Sequence, residues 1–243
     1  MKVSKHLIII TSYKAPQYIK RCLERLVKTI DLKKNKVVII DDASGLPTVR
    51  VLKSLGKKYP LIKFYYIKKN ISKPGSINRA LSKFPNMDYY TILDQDVFIK
   101  TKNWDKIILK AHKVFHDKAI LGAFTHEKGY PFKKGGLHFL DPYPFWTLAG
   151  RFLSFSKKIF KKLGYFYDKS YRHEDREYCF RAYLAGFRWY YITNIKARTV
   201  LHELTKRRRL ELSRGVEENK TIQRKHNHYL MLTHDIYYSP KKF

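Results

Sequence analysis

The sequence predicts an α/β fold whose central sheet is mainly parallel and covered by helices on both faces. Two patterns carry that reading. Short apolar runs rich in branched and aromatic residues recur at Leu7 to Ile10, Val37 to Ile40, Phe64 to Ile67 and Tyr89 to Leu93, and each is short enough to be a strand. The stretches between them carry apolar residues at helical spacing, so strand and helix alternate, and such crossovers lay parallel strands side by side.

Taken in order, Tyr18, Ile19, Cys22, Leu23, Leu26, Val27 and Ile30 form one apolar stripe between the first two strands, enough to lay a helix on a sheet. Pro47 to Leu55 and Pro74 to Leu81 supply the next two crossover helices, each opening at a proline, which a first helical turn tolerates. Past residue 100 a helix is expected from Trp104 to Phe115 and a short strand near Ile120. A loop rich in Gly, Pro and aromatics then runs from Gly129 to Trp146, a candidate acceptor or lid segment. A strand over Leu148 to Phe155 leads into a helix at Lys157 to Leu163, and the acidic cluster at His173 to Glu177 opens another helix reaching about Leu184. Trp189 to Ile192 and Ala197 to His202 read as closing strands. The domain reading is one unit over 1–204, with 1–100 as the ligand-binding half and 101–204 as the second half, followed by a basic, mainly helical tail over 205–243.

Charge is the unusual bulk property. The 243 residues hold 51 Lys and Arg against 20 Asp and Glu, a net charge of +31, far more than solubility asks. An anionic partner is the expectation, either a nucleic acid that releases counterions on contact or an anionic membrane surface. A lysine-rich composition set by an AT-rich genome is the alternative source. Cys22 and Cys179 are the two cysteines, too few for a disulfide framework or a zinc site. The apolar run Leu7 to Ile10 is too short for a signal peptide, and no other run reaches membrane length. The expected location is the cytoplasm, that of the host if the protein is viral, with attachment at a membrane surface by charge as the alternative.

Three carboxylate-bearing turns follow apolar runs. Asp41 and Asp42 follow Val37 to Ile40, Asp94-Gln95-Asp96 follows Tyr89 to Leu93, and Glu174-Asp175 opens the later helix. An Asp-x-Asp pair at the end of a buried strand suits a hard divalent cation that prefers oxygen ligands. The pair also serves as a helix cap in many proteins, so its meaning depends on company.

That company is Leu7-Ile8-Ile9-Ile10-Thr11-Ser12-Tyr13, Val38-Ile39-Ile40-Asp41-Asp42-Ala43-Ser44, Leu93-Asp94-Gln95-Asp96 and His173-Glu174-Asp175, in this order. The set resembles the GT-A glycosyltransferases of family 2, as do Phe155-Ser156-Lys157-Lys158, Leu163-Gly164-Tyr165-Phe166, and Glu174 to Arg181 with Gly186-Phe187 beyond. The resemblance covers roughly residues 5 to 205 and implies a Rossmann-like, three-layer GT-A sandwich with a mixed, mainly parallel sheet. It implies a metal-dependent inverting transferase that takes a hexose or pentose from a nucleotide-diphosphate sugar, a UDP-sugar first among donors. By the same resemblance Tyr13 and Asp42 hold the base, Asp94 approaches the ribose, Asp96 binds Mn2+ or Mg2+, and His202 completes the metal or diphosphate site. Departing anionic diphosphate needs a cation, and the attacking hydroxyl needs a base on the opposite face; Asp175 is the candidate base, with Glu174 orienting the acceptor. Helix N-terminal placement favours the ionised form of Asp175.

Lys14 stands where the family commonly has Asn, and Ile77-Asn78 where many members have Arg-Asn. Lys73 and Arg79 are therefore the expected diphosphate contacts, with surface solvation as the alternative for both. For the acceptor, Lys and Arg outnumber acids 14 to 4 between Lys100 and Lys162 and 10 to 5 after residue 200, in the half where family members bind acceptor. This favours DNA containing hydroxymethylpyrimidine, with Tyr130, Phe132, Tyr143, Phe145 and Trp146 available to stack on a displaced base. The alternatives are a cell-surface glycan, a lipid-linked saccharide or a lipooligosaccharide, and, in a different class, a noncatalytic nucleic-acid-binding protein.

Overall fold

The computed structural model describes residues 4–123, 129–142, 148, 150–169, 174–199 and 236–240. Its first half is the expected alternation: β1 (His6–Ser12), α1 (Pro16–Leu26), β2 (Asn35–Asp42), α2 (Leu46–Lys58), β3 (Lys63–Ile67), α3 (Ser72–Lys83) and β4 (Tyr89–Asp94). The second half adds β5 (Val97–Ile99), α4 (Trp104–Val114), β6 (Ala119–Gly122), β7 (Gly129–Lys134), β8 (Leu137–Pro142), β9 (Phe152–Ser156), α5 (Lys157–Leu163), α6 (Glu174–Leu184), β10 (Arg188–Ile192) and β11 (Ala197–Thr199).

Among the described residues, nine strands form one sheet in the order β3-β2-β1-β4-β9-β6-β10-β8-β7. β1, β2, β3 and β4 are mutually parallel, whereas β9 runs antiparallel to both β4 and β6. The strand alternation divides the core in two. Ile8, Ile10, Val37 and Ile39 point into a layer with Ile19 and Leu23 of α1, Leu52 of α2 and Ile108 of α4. Their neighbours Leu7, Ile9, Val38 and Ile40 point into the opposite layer with Ile77 of α3, Ile159 of α5 and Tyr178 of α6. A strand buried on both faces reads as a continuous apolar run, which is why these strands are plain in the sequence.

Two details differ from the sequence reading. The stretch expected to be a loop from Gly129 holds a hairpin, β7–β8, turned through Gly135 and Gly136, both at positive φ. Its alternation is weak because β7 is an edge strand with mostly exposed side chains. A second, two-stranded sheet pairs β5 with β11 antiparallel; three residues are too few to show periodicity. Further along the chain, Tyr238 forms an isolated β-bridge with Gly164. Tyr238 N–H donates to Leu163 O at 2.9 Å, and Tyr165 N–H donates to Tyr238 O at 2.7 Å.

Buried polar side chains cross-link the sheet beneath α4. His6 bonds Asn35 and Thr91 through its two ring nitrogens, at 2.8 Å each, and His112 bonds Ser154 Oγ at 2.8 Å. Asn35 donates to Asp105 Oδ2 at 2.6 Å. Burial drives the His6 pKa down to about 4, against the opposing pull of Asn35 and Asp105, and drives His112 to about 3, with the His6 charge adding to the effect. Both imidazoles are held neutral. No helix of the described residues is long and apolar enough to cross a membrane.

Candidate active site

The sheet order reverses between β1 and β4: the chain steps outward from β1 to β2 to β3, then returns to the other side of β1. At such a switch point the loops leaving neighbouring strands diverge and open a crevice at their carboxyl ends. Tyr13, Asp42, Asp94 and Asp96 all follow or end β1, β2 and β4 there.

Tyr13 is 44% exposed, with the Lys14 ammonium 5.0 Å from its ring centroid. Its backbone is clamped from β4's side. Gln95 Oε1 accepts from Tyr13 N–H at 3.2 Å and from the Ser12 hydroxyl at 3.2 Å, while Gln95 Nε2 donates to Tyr13 O at 2.8 Å. The middle residue of Asp94-Gln95-Asp96 thus spans the crevice floor. Asp42 is buried, and its Oδ1 accepts from Ile71 N–H at 2.8 Å. Burial raises its pKa, the Ile71 N–H opposes the rise, and the Asp41 charge adds to it.

On the other wall, Glu174 and Asp175 begin α6. Asp175 Oδ2 accepts from Gly150 N–H at 2.7 Å, and its Oδ1 accepts from Arg176 N–H at 2.8 Å. Although a helix N-terminus favours the anion, burial first and the Glu174 charge second outweigh Lys73 and both N–H groups, so the Asp175 pKa is raised. A raised pKa makes a carboxylate a stronger base toward a hydroxyl. Gly150 sits so close that a Cβ on it would lie 2.8 Å from Asp175 Cβ and 3.1 Å from Glu174 Oε1.

Lys73 joins the two walls. Its ammonium lies 2.6 Å from Asp94 Oδ1 and 2.7 Å from Glu174 Oε1, and donates to Gly150 O at 3.0 Å. Burial alone would lower its pKa, but Asp94 and Glu174 raise it. Asp94 is pushed up to about 6 by burial, with Asp96 and Glu174 adding and Lys73 opposing. The three N–H groups of the Lys73 ammonium are thus matched by three acceptors. Arg79 stands about 9 Å further along α3 and about 120° around it, by helical rise and turn, and is not brought to the cluster. The cation that does face Asp96 is Arg151, which donates to Thr199 Oγ1 at 3.1 Å and whose backbone O accepts from Asp94 N–H at 3.0 Å.

Asp96 is half-buried, its pKa raised by burial and restrained by Arg151 first and Lys73 last. Among the described residues no ion pair engages Asp96, its own backbone N–H bonds its carboxylate, and a carboxylate here is the oxygen ligand type that a hard cation prefers. Among those residues no three His, Cys, Asp or Glu side chains form a metal cage. His202 and His173 lie outside the described residues, as do Tyr143, Phe145 and Trp146. Tyr130 is exposed on the edge strand β7, and Phe132 packs against Phe115, Phe139 and Tyr190. Asn78, in place of the family's common pair, holds the Phe166 backbone with both ends of its amide, at 2.7 and 2.8 Å.

Gln95, Gly150 and Arg151 are the site residues that sequence reasoning missed. A glycine inside an expected strand marks close backbone approach, and Gly150 falls within the run Leu148 to Phe155, so it carried a signal. Gln95 and Arg151 carried none.

The fold is GT-A, a nucleotide-sugar transferase architecture with its carboxylates gathered at the switch point. The chain belongs to glycosyl transferase family 2, whose sequence profile matches residues 7–189. Among solved structures it is similar to GalNAc-T7 with UDP, GalNAc and Mn2+, at a TM-score of 0.69 and 11% identity, over 82% of this chain and 44% of that one. It is similar to S. aureus TarS 1-349 in complex with UDP, at 0.63 and 19%, over 79% and 60%. It is also similar to the mannosyltransferase PcManGT from Pyrobaculum calidifontis in complex with GDP-Man and Mn2+, at 0.64 and 14%, over 81% and 57%. This chain thus spans between 44% and 60% of those chains' lengths. No match is found among curated proteins.

Proposed function

We propose that the protein is an inverting, metal-dependent transferase that moves a hexose or pentose from a nucleotide-diphosphate sugar, a UDP-sugar first, onto a hydroxymethylpyrimidine in DNA. The observation that supports the transfer is a chain of contacts across the crevice, in which Lys73 binds Asp94, Glu174 and Gly150 O while Gly150 N–H holds Asp175. The reading takes Asp94 as the donor-side carboxylate and Asp175 as the acceptor-side base, linked through Lys73 and Gly150.

In this reading Tyr13 stacks on the base and Asp42 accepts its N–H, while Asp94 faces the ribose. Asp96, with His202, holds a divalent cation, whose chemistry is to neutralise charge on the departing diphosphate. Arg151, just before β9, faces the same charge. Asp175 takes the proton of the acceptor hydroxyl as it attacks the anomeric carbon from the face opposite the leaving group, which inverts that centre. Glu174, one oxygen held by Lys73, orients the acceptor. Arg79 enters as a donor contact only if its side chain reaches back along α3.

The acceptor rests on charge. Lys106, Lys110 and Lys113 of α4 are exposed, as are Lys133 and Lys134 of β7 and Lys158, Lys161 and Lys162 of α5, so lysines cover both layers instead of one amphipathic helix. Such a spread supports phosphate contacts along a polyanion. A glycan or lipid-linked acceptor on an anionic membrane is the second reading. The retention of Asp42, Asp96 and Asp175 together argues against a noncatalytic DNA-binding protein.

The test is turnover of UDP, GDP and TDP sugars with Mn2+, with and without duplex DNA containing hydroxymethylpyrimidine, following nucleotide release and product mass. DNA-dependent release with a hexose or pentose mass gain is expected. Metal-dependent release that DNA leaves unchanged moves the acceptor to glycan or lipid, and no release with any donor sinks the transferase reading.

A further inference from the structure

Lys73 sits in the first turn of α3, and its ammonium touches the end of β4, the Gly150 segment and the first turn of α6. These contacts draw together chain positions 73, 94, 150 and 174, which no local pattern relates. Gly150 passes the link onward, since its carbonyl accepts from Lys73 while its N–H holds Asp175 at 2.7 Å. One cation therefore sets where both acceptor-side carboxylates stand relative to the donor-side Asp94. Its side chain is largely enclosed, and its three N–H groups already have acceptors, so a direct grip on phosphate would break the frame that holds the base.

We propose that Lys73 is a positioning residue for the transfer step: it fixes the spacing between Asp94 and the Glu174–Asp175 pair and makes no contact with the donor's phosphates. This rests on the transferase reading above. It predicts that Lys73 acts on turnover through geometry, not on donor affinity. An arginine at position 73 keeps the charge and can still bridge two carboxylates, but its planar fork cannot reproduce the three-way ammonium contact.

The experiment compares Lys73→Met and Lys73→Arg with wild type, titrating UDP in the presence of Mn2+ by calorimetry and measuring kcat and KM for the donor that wild type turns over. For Lys73→Met the expected result is UDP affinity within about threefold of wild type and kcat lower by about 100-fold, the cost of an ångström-scale misplacement of reacting groups. Lys73→Arg recovers part of kcat at unchanged KM. A tenfold or greater loss of UDP affinity with kcat preserved overturns the proposal and returns Lys73 to the diphosphate.

A thermal-stability cycle of Lys73→Met, Glu174→Gln and the double variant separates this from a failure of the transferase reading, because it needs no substrate. Removing Lys73 alone strands two enclosed carboxylates, so Glu174→Gln is expected to restore part of the melting temperature that Lys73→Met loses. Strict additivity of the two changes overturns the bridging role whatever the enzyme's reaction is.

Discussion

Replacing Gly150 by Ala adds one methyl group at the most crowded point of the site. The new Cβ would lie 2.8 Å from Asp175 Cβ, 3.1 Å from Asp175 Cγ and 3.1 Å from Glu174 Oε1. Carbon atoms rest about 3.5 to 4.0 Å apart, so Asp175 or the Gly150 backbone must retreat by about 0.7 Å or more. The glycine has no left-handed φ to lose, so steric displacement is the whole effect. Asp175 cannot yield freely, because its two oxygens are tied to Gly150 N–H and Arg176 N–H. A base displaced by close to an ångström costs on the order of tenfold to 100-fold in kcat, while overpacking costs about 1 to 3 kcal/mol of stability. Steady-state kinetics with the working donor, beside a melting curve, reads both. A Gly150→Ala protein with kcat within twofold of wild type refutes the claim that Asp175 is held at its working position by the approach of residue 150.

Other substitutions separate the roles. Asp175→Asn removes the base and lowers kcat by about 100-fold or more with UDP affinity retained; equal turnover would place the base elsewhere. Asp96→Asn weakens Mn2+ dependence, read as a rise in the Mn2+ concentration for half-maximal turnover, and unchanged dependence would remove Asp96 from the metal site. Gln95→Ala frees the Tyr13 backbone and raises the donor KM several-fold, by loss of about 1 kcal/mol of ordering per hydrogen bond, whereas an unchanged KM would show that Tyr13 holds no donor. Acid stability follows from His6 and His112: their folded pKa values, about 4 and about 3, lie below the unfolded 6.5. The unfolded chain takes up protons first as pH falls, so stability is full above about 6.5 and declines below it, by about 1.4 kcal/mol per pH unit for each fully neutral histidine. His6→Gln flattens that decline between pH 6 and 5 in chemical denaturation, and an unaltered slope would contradict the buried, neutral state.

The first half of the fold was legible because its strands are buried on both faces. Leu7 to Ile10 and Val37 to Ile40 feed two separate core layers, which leaves an uninterrupted apolar run, and Asp42, Asp94 and Asp96 stand out against it as charges at the strand ends. The edge hairpin was not legible, since Tyr130, Lys133 and Lys134 face solvent and no burial pattern marks them. Nor was the bond between Lys73 and Glu174: the sequence places a lysine in a helix and an acid a hundred residues later, and only the switch point brings them within 2.7 Å. Nothing local to Lys73 is acidic, so the sequence alone offers it a diphosphate or solvent and no carboxylate. For Asp175 the helix terminus was visible but the enclosure was not, and enclosure decides the direction of its pKa.

The bridge between Tyr238 and Gly164 has a consequence for how the chain is made. Arg181, wholly buried on α6, donates to Leu163 O, Tyr165 O and Ile236 O as well as pairing with Glu177. One of those acceptors is 55 residues later in the chain, and the partner of Gly164 is 74 residues later. During synthesis at about 5 to 20 residues per second, the helix that carries Glu174 and Asp175 waits several seconds for these later backbone partners to be made. Until residues 236 to 238 arrive, an arginine enclosed by the core has one acceptor too few, and a non-local closure of that kind slows folding. Acquisition of native structure by α6 is therefore timed by residues 236 to 238, and a ribosome stalled before Ile236 is expected to display the crevice beside β1 and β4 ahead of a finished α6.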